Sequence, residues 1–132
     1  MGAFDAETLA RQLAQLGRDL TEEVERLGEL EEEAADAEGN FRRLESAYDD
    51  CVDRAFLDAQ GTEAKRKAEA KLTCSAERTA KQEASIEWNK AKGRVFTQNA
   101  NLNAIRTRID IGRSLLSRER ALLGLASSGV DT

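Results

Sequence analysis

Apolar residues recur along the first half of the chain at alternating steps of four and three positions. The positions of this first seam are Leu9, Leu13, Leu16, Leu20, Glu23, Leu27, Leu30, Ala34, Ala37, Phe41, Leu44, Tyr48, Cys51 and Ala55. Only Glu23 is charged, and the neighbouring Val24 indicates that the seam shifts locally there. Because a seven-residue repeat keeps one stripe of a helix against a partner helix, the pattern predicts a coiled-coil helix over residues 6–60. Gly39 and Asn40 leave the repeat in register, so the helix is expected to run through them.

The repeat ends near residue 60, where the sequence has the residues of a tight helix connection. Gly61 can adopt a left-handed backbone and Thr62 can cap a following helix, so the chain is expected to turn near residue 61. A stripe of small or apolar residues at a spacing of four follows, comprising Ala64, Ala68, Leu72, Ala76 and Ala80. Small side chains in this stripe would let two helices approach closely.

A second seam starts at residue 84 and predicts another helix over residues 63–123. Its positions are Ala84, Trp88, Ala91, Val95, Gln98, Leu102, Ile105, Ile109, Gly112, Leu116, Glu119 and Leu123, and Ile111, Leu115 and Leu122 widen the apolar face. The sequence contains no proline, the strongest helix breaker, and is rich in helix-forming residues. Residues 125–132 show no apolar repeat and are expected to form a flexible tail.

Two helices of matched length joined by a short turn indicate an all-α fold, a long antiparallel helical hairpin that forms one domain over residues 1–124. One stripe per helix offers a monomer little apolar surface to bury. Two hairpins are therefore expected to dimerise into a four-helix arrangement. The predicted self-association seam consists of Leu27, Leu30, Trp88, Leu102, Ile105, Ile109 and Leu116.

The charged residues divide unevenly between the two predicted helices. Residues 1–60 contain 17 acidic and 6 basic residues, whereas residues 61–132 contain 8 and 14. Opposite charges favour an arrangement in which the two segments lie side by side. A turn at residue 61 would place Glu29, Glu31, Glu32 and Glu33 opposite Lys90, Lys92 and Arg94, and Asp49, Asp50 and Asp53 near Lys67 and Lys71.

The absence of histidine removes the commonest general base and the commonest zinc ligand. The sequence therefore predicts a non-enzymatic protein with no catalytic residues, cofactor or metal. Cys51 occupies a seam position and is expected to be a small buried thiol. Because Cys74 comes near it in the hairpin, a disulfide or a two-thiol metal site is the alternative.

No stretch of the sequence approaches the roughly 20 apolar residues that cross a bilayer. The chain is therefore expected to be cytoplasmic and to have no membrane partner. Thiols that stay reduced are typical of that compartment.

Two charged faces are the candidate interaction sites. The acidic face comprises Glu29, Glu31, Glu32, Glu33, Asp49, Asp50 and Asp53, and the basic face comprises Lys90, Lys92, Arg94, Arg106, Arg108 and Arg113. The first hypothesis is a protein–protein interaction module whose acidic face attracts a basic protein groove. The alternative is a nucleic-acid-binding accessory protein that holds phosphates with its second helix, where residues 90–120 contain eight basic and two acidic residues.

Two segments, Asp53–Thr62 and Ile105–Leu116, resemble small coiled-coil proteins of bacteriophages and prophages whose function is unassigned. The resemblance covers roughly the second half to two thirds of the chain. It implies a phage accessory protein in the host cytoplasm that acts near DNA recombination or against a host defence system. A host protein that the chain inhibits or modulates would be its partner, and neither segment carries over a catalytic or binding residue.

Overall fold

The structure is a computed structural model that describes residues 5–130, with side chains described as far as residue 124. Helix α1 spans Ala6–Asp58, α2 spans Glu63–Thr73 and α3 spans Ser75–Val130. The described residues form no β-strand, which confirms the predicted all-α class. None of the helices in this part of the chain has an apolar stretch long enough to cross a bilayer.

Helix α1 starts at a capped end and follows the first seam. Asp5 accepts hydrogen bonds from the backbone N–H of Glu7 (3.1 Å) and from the hydroxyl of Thr8 (3.1 Å). These bonds stabilise the helix start, where the first N–H groups have no partner within the helix. All fourteen first-seam positions are buried or half-buried. Gly39 and Asn40 are exposed within α1, as the unbroken repeat predicts.

The connection between α1 and α2 has the predicted turn chemistry. Gly61 has a φ of 110°, a conformation that favours glycine, and the Thr62 hydroxyl accepts a hydrogen bond from the backbone N–H of Lys65 at 3.3 Å. Arg66 reaches back to α1, where its Nε and Nη2 donate to the carbonyl oxygen of Phe56 at 3.2 and 2.9 Å. That carbonyl belongs to the last turn of α1 and lacks a helical partner, so Arg66 fixes the end of this helix.

The predicted second helix is interrupted at Cys74, where α2 is followed by α3. Cys74 has φ −99° and ψ 25°, outside the helical region. Backbone hydrogen bonds still cross the interruption, from Cys74 N–H to the Ala70 carbonyl (3.1 Å) and from Arg78 N–H to the Cys74 carbonyl (3.0 Å). Because α3 continues to Val130, the predicted tail 125–132 begins inside it, and the last two residues of that tail lie outside the described chain.

The prediction that the small-residue stripe allows a close helix approach is wrong. Four of its members are exposed and one is half-buried; the stripe comprises Ala64, Ala68, Leu72, Ala76 and Ala80. The junction instead buries Ala70 and Cys74, both 0% exposed. These two residues continue the second seam backwards, through Lys81 and Glu77, in steps of three and four. Two polar residues at seam positions concealed this continuation.

The chain divides into two compact units, and the first comprises residues 29–96. In this 29–96 unit, α1 runs antiparallel to α2 and α3, because Phe56 contacts Arg66, Cys51 contacts Cys74 and Phe41 stacks on Trp88. The paired residue numbers add up to 122 at Phe56–Arg66 and to 129 at Phe41–Trp88. A turn centred on residue 61 would pair residues whose numbers add up to about 122 throughout, and this expectation is wrong away from the turn. Contacts between seam side chains set the register instead of the midpoint of the turn.

The second unit comprises residues 1–28 and 97–132, and both seams contribute to its core, where Leu9 of α1 is 7% exposed. Leu102 (1% exposed), Ile105 (8%) and Ile109 (7%) are its most buried branched side chains on α3. Gly112 leaves room for Leu13, since a Cβ at residue 112 would lie 2.5 Å from Leu13 Cδ2. At this position a residue without a side chain on α3 accommodates a large side chain of α1.

Candidate functional site

The acidic face lies on α1, and all its members are exposed. Each belongs to the 29–96 unit: Glu29, Glu31, Glu32, Glu33, Asp49, Asp50 and Asp53. The helix period places such residues on the sides away from the first seam, which α1 keeps buried. Their carboxylates are therefore accessible to a partner.

The basic face of α3 is exposed as well, but it is divided between the two units. Lys90, Lys92 and Arg94 belong to the 29–96 unit, whereas Arg106, Arg108 and Arg113 belong to the unit of residues 1–28 and 97–132. Each group of three is therefore a separate candidate surface.

The lysines of the basic face have contacts within α3 rather than the predicted acidic partners. Lys90 Nζ lies 3.4 Å from Glu87 Oε1, and Lys92 Nζ lies 4.1 Å from the centre of the Trp88 ring. Glu31 and Lys92 do line the same groove of about 320 Å³. Among the described residues, no Lys or Arg nitrogen lies within 4.0 Å of the Glu31, Glu32 or Glu33 carboxylates.

The second predicted set of charge contacts surrounds a shared cleft. Asp53, Lys67 and Lys71 all line a cleft of about 440 Å³ beside Phe56. The ion pair formed by Lys67 is with Glu63 of its own helix, at 3.3 Å. These exposed pairs contribute about 0–1 kcal/mol each, so the seams carry most of the stability.

The residues predicted for self-association are covered by the chain itself. Four are buried and three are half-buried: Leu30, Leu102, Ile105 and Ile109, then Leu27, Trp88 and Leu116. Other large apolar side chains remain exposed, including Phe96 (77%), Ile111 (56%), Leu122 (56%) and Leu123 (56%). These exposed side chains are apolar surface that the chain itself does not cover.

Trp88 is the centre of an aromatic and cationic cluster in the 29–96 unit. Its ring stacks on Phe41 with 5.4 Å between centroids, and Arg42 Cζ lies 5.2 Å from its centre. With Lys92, two cations contact the only tryptophan of the sequence. Because cations are attracted to the faces of aromatic rings, this cluster holds basic groups beside the acidic face.

The polar residues of the two seams meet each other. Gln98, 9% exposed, donates through Nε2 to the Glu23 backbone carbonyl at 2.9 Å and to Glu23 Oε2 at 2.5 Å. Asn101 Nδ2 adds a weaker contact of 3.4 Å to the same carboxylate. The local shift predicted at Val24 is wrong, because Val24 is 45% exposed while Glu23 keeps the seam position. A hydrogen-bonded polar layer of this kind fixes helix register.

The expectation of free thiols is also wrong. Cys51 and Cys74 form a disulfide with an S–S distance of 2.07 Å and 6.0 Å between the Cα atoms. Glu77 lies beside it, and its Oε2 is buried with no hydrogen-bond partner in the described part of the chain. The two sulfur atoms and a Glu77 carboxylate oxygen all lie within 4.8 Å of one another. The sequence predicts the disulfide only as the alternative to free thiols. Its pattern gives no role to Glu77, which lies beside the disulfide.

Comparison with known proteins identifies no relative of this chain. No protein-family model matches the chain, and no curated protein or solved structure is significantly similar to it. The function is therefore inferred from the chain's own side chains.

Proposed function

We propose that this chain is a non-enzymatic helical interaction module that binds a partner protein through the acidic face of α1. The observation that supports this best is the exposed run Glu31–Glu33, whose carboxylates have no cationic partner within 4.0 Å among the described residues. Adjacent unpaired carboxylates raise the local negative potential and speed association with a basic protein surface. The partner is accordingly a protein with a basic groove or patch.

A cross-linking experiment followed by binding measurements tests this function. A photo-cross-linking residue placed at Asp36, which is exposed near the run, identifies partners that can then be purified. The Glu31→Gln/Glu32→Gln variant is expected to weaken binding by about tenfold, and the loss should shrink as salt increases. The matched control, Glu22→Gln/Glu25→Gln, changes the net charge equally on exposed positions of the same helix. Equal losses in both variants, or binding that is insensitive to salt, would contradict a local acidic site.

The phage resemblance gives this proposal its biological setting. A phage accessory protein with an acidic helical face would bind a basic surface of a host protein and inhibit it by occlusion. The host target would be a defence or nucleic-acid-processing complex, because such proteins carry basic surfaces for polyanions. A purified target whose nucleic-acid binding is unaffected by a saturating amount of the chain would exclude occlusion.

A nucleic-acid-binding accessory protein is the second candidate, and one observation favours it. Arg106 and Arg113 are two turns apart on α3 and both are exposed, so both can contact one phosphate backbone. A mobility shift with a short DNA duplex tests this, and Arg106→Gln/Arg113→Gln should reduce the salt slope by about two. An unchanged slope, or no shift at low salt, would exclude this candidate.

We also propose that the long helices form an antiparallel hairpin that dimerises. The antiparallel contacts inside each unit support the hairpin, and exposed Ile111, Leu122 and Leu123 offer apolar surface to a second copy. Sedimentation equilibrium is expected to give a dimer, and Leu122→Glu/Leu123→Glu should give a monomer. A monomeric wild-type chain at the highest concentration measured would refute the dimer.

A further inference from the structure

Cys51, Cys74 and Glu77 bring three metal-ligating side chains to one point of the 29–96 unit. Three places in the fold contribute, since Cys51 comes from α1, Cys74 from the α2–α3 junction and Glu77 from the first turn of α3. One possible ligand atom from each residue lies within 4.8 Å of the others. Cys74 and Glu77 are three positions apart, the spacing that places two side chains on the same side of a helix.

One oxygen of the Glu77 carboxylate lacks a hydrogen-bond partner among the described residues. A Glu in the first turn of a helix can accept a hydrogen bond from the backbone N–H of the residue three before it. Here the N–H of Cys74 donates to the Ala70 carbonyl instead, at 3.1 Å. Glu77 Oε2 is also buried, and it has no hydrogen-bond partner in the part of the chain that the structure describes. A buried carboxylate oxygen is costly unless it is hydrogen-bonded or coordinates a metal.

We propose that reduction of the Cys51–Cys74 disulfide converts this cluster into a binding site for a thiolate-preferring divalent metal ion such as Zn²⁺. Two thiolates and one carboxylate are ligands that Zn²⁺ takes, and they leave one tetrahedral position open. The adjoining groove of about 510 Å³ is lined by Cys51, Glu77, Asp50 and Thr73, so a water molecule has access to that position. The site needs no histidine.

The change in geometry on reduction is local. Two sulfur ligands of a tetrahedral Zn²⁺ are about 3.8 Å apart, given Zn–S bonds of about 2.3 Å. Each Sγ can move on an arc about its Cα–Cβ bond once the S–S bond is broken, so the 6.0 Å between the Cα atoms can be kept. The carboxylate of Glu77 is already beside the sulfur atoms.

The reduction step balances with a water-soluble trialkylphosphine as the reductant. The phosphorus lone pair attacks Sγ of Cys51, which is half-buried at the groove, and the S–S bond breaks to release the Cys74 thiolate. Water then hydrolyses the P–S bond, giving the phosphine oxide and the Cys51 thiol, and the second proton of that water protonates Cys74. Metal binding afterwards releases the two thiol protons, because Cys binds metals as the thiolate.

Titration of the reduced full-length chain with Co²⁺, followed by competition with Zn²⁺, tests the site. One Co²⁺ per chain is expected to produce thiolate-to-metal charge-transfer absorption, which Zn²⁺ should abolish. The disulfide form should show no such absorption, because it has no thiolate ligands. Glu77→Gln should weaken Co²⁺ binding by about tenfold or more, since it removes one charged ligand. Glu69→Gln, an exposed change on α2 with the same chemistry, should bind as the wild type does.

Folding is checked separately from metal binding. Glu77→Gln retains both cysteines, so the circular dichroism of its oxidised form shows whether the helices are intact. Co²⁺ binding that is unsaturable in the reduced wild type would overturn the proposal. Equal Co²⁺ affinities of Glu77→Gln and Glu69→Gln, with normal helicity in both, would also overturn it.

Discussion

The polar layer of Glu23 and Gln98 gives the sharpest test of how the seams are held together. Replacing Gln98 by Leu removes both hydrogen bonds from its Nε2 and leaves the half-buried Glu23 carboxylate against an apolar side chain. We expect this single change to lower the free energy of unfolding by about 1–3 kcal/mol, the range for a hydrogen bond to a charged group that becomes unsatisfied. Glu23→Leu should cost about 1 kcal/mol, because Gln98 keeps the backbone carbonyl as an acceptor.

The double variant Glu23→Leu/Gln98→Leu distinguishes a paired layer from two independent polar residues. Two leucines facing each other leave no polar group unsatisfied and bury apolar surface, so the double variant should be as stable as the wild type or more stable. The coupling free energy from urea denaturation of the four proteins should then reach about 2–4 kcal/mol, because the double variant recovers both single losses.

Asn101→Ala is the control for this cycle, since Asn101 is exposed and its contact to Glu23 is 3.4 Å long. It should change stability by less than about 0.5 kcal/mol. A double variant destabilised by the sum of the two single changes would refute the pairing of Glu23 with Gln98.

Three further predictions concern the turn, the glycines and the core. Arg66→Ala should destabilise the chain by about 1.5–3 kcal/mol in urea denaturation, because the end of α1 loses two charged donors, and a loss below about 0.5 kcal/mol would contradict that contact. Gly93→Ala should stabilise by about 0.5–1 kcal/mol because its surroundings are open. Gly112→Ala should raise the free energy of unfolding by less than Gly93→Ala does, since the added Cβ lies against Leu13. Equal increases in the two variants would argue against that close approach. Ile109→Asp should cost more than about 3 kcal/mol in thermal melting, because Ile109 is 7% exposed, whereas Ile111→Asp at a 56% exposed position should have little effect.

The charged faces and the cysteine pair differ in how far the sequence predicts them. The exposure of Glu31 and Arg113 follows from their positions off the seam, because a helix that buries one stripe leaves its other sides in solvent. The ion pairs between the acidic and basic faces cannot be predicted from those positions, because Lys90 and Lys92 contact partners on their own helix instead. The disulfide depends on a register that the turn alone did not predict correctly.

The sequence by itself determined the helical class, the buried stripe of α1, the cap at Thr62 and the left-handed Gly61. Each of these depends on local backbone preference or on a period that one helix carries alone. Only the tertiary structure decided which seam residues meet across helices, and with them the Glu23–Gln98 layer and the position of Glu77 beside the disulfide. Those contacts depend on the relative shift of two helices, and a seven-residue repeat fits several such shifts almost equally well.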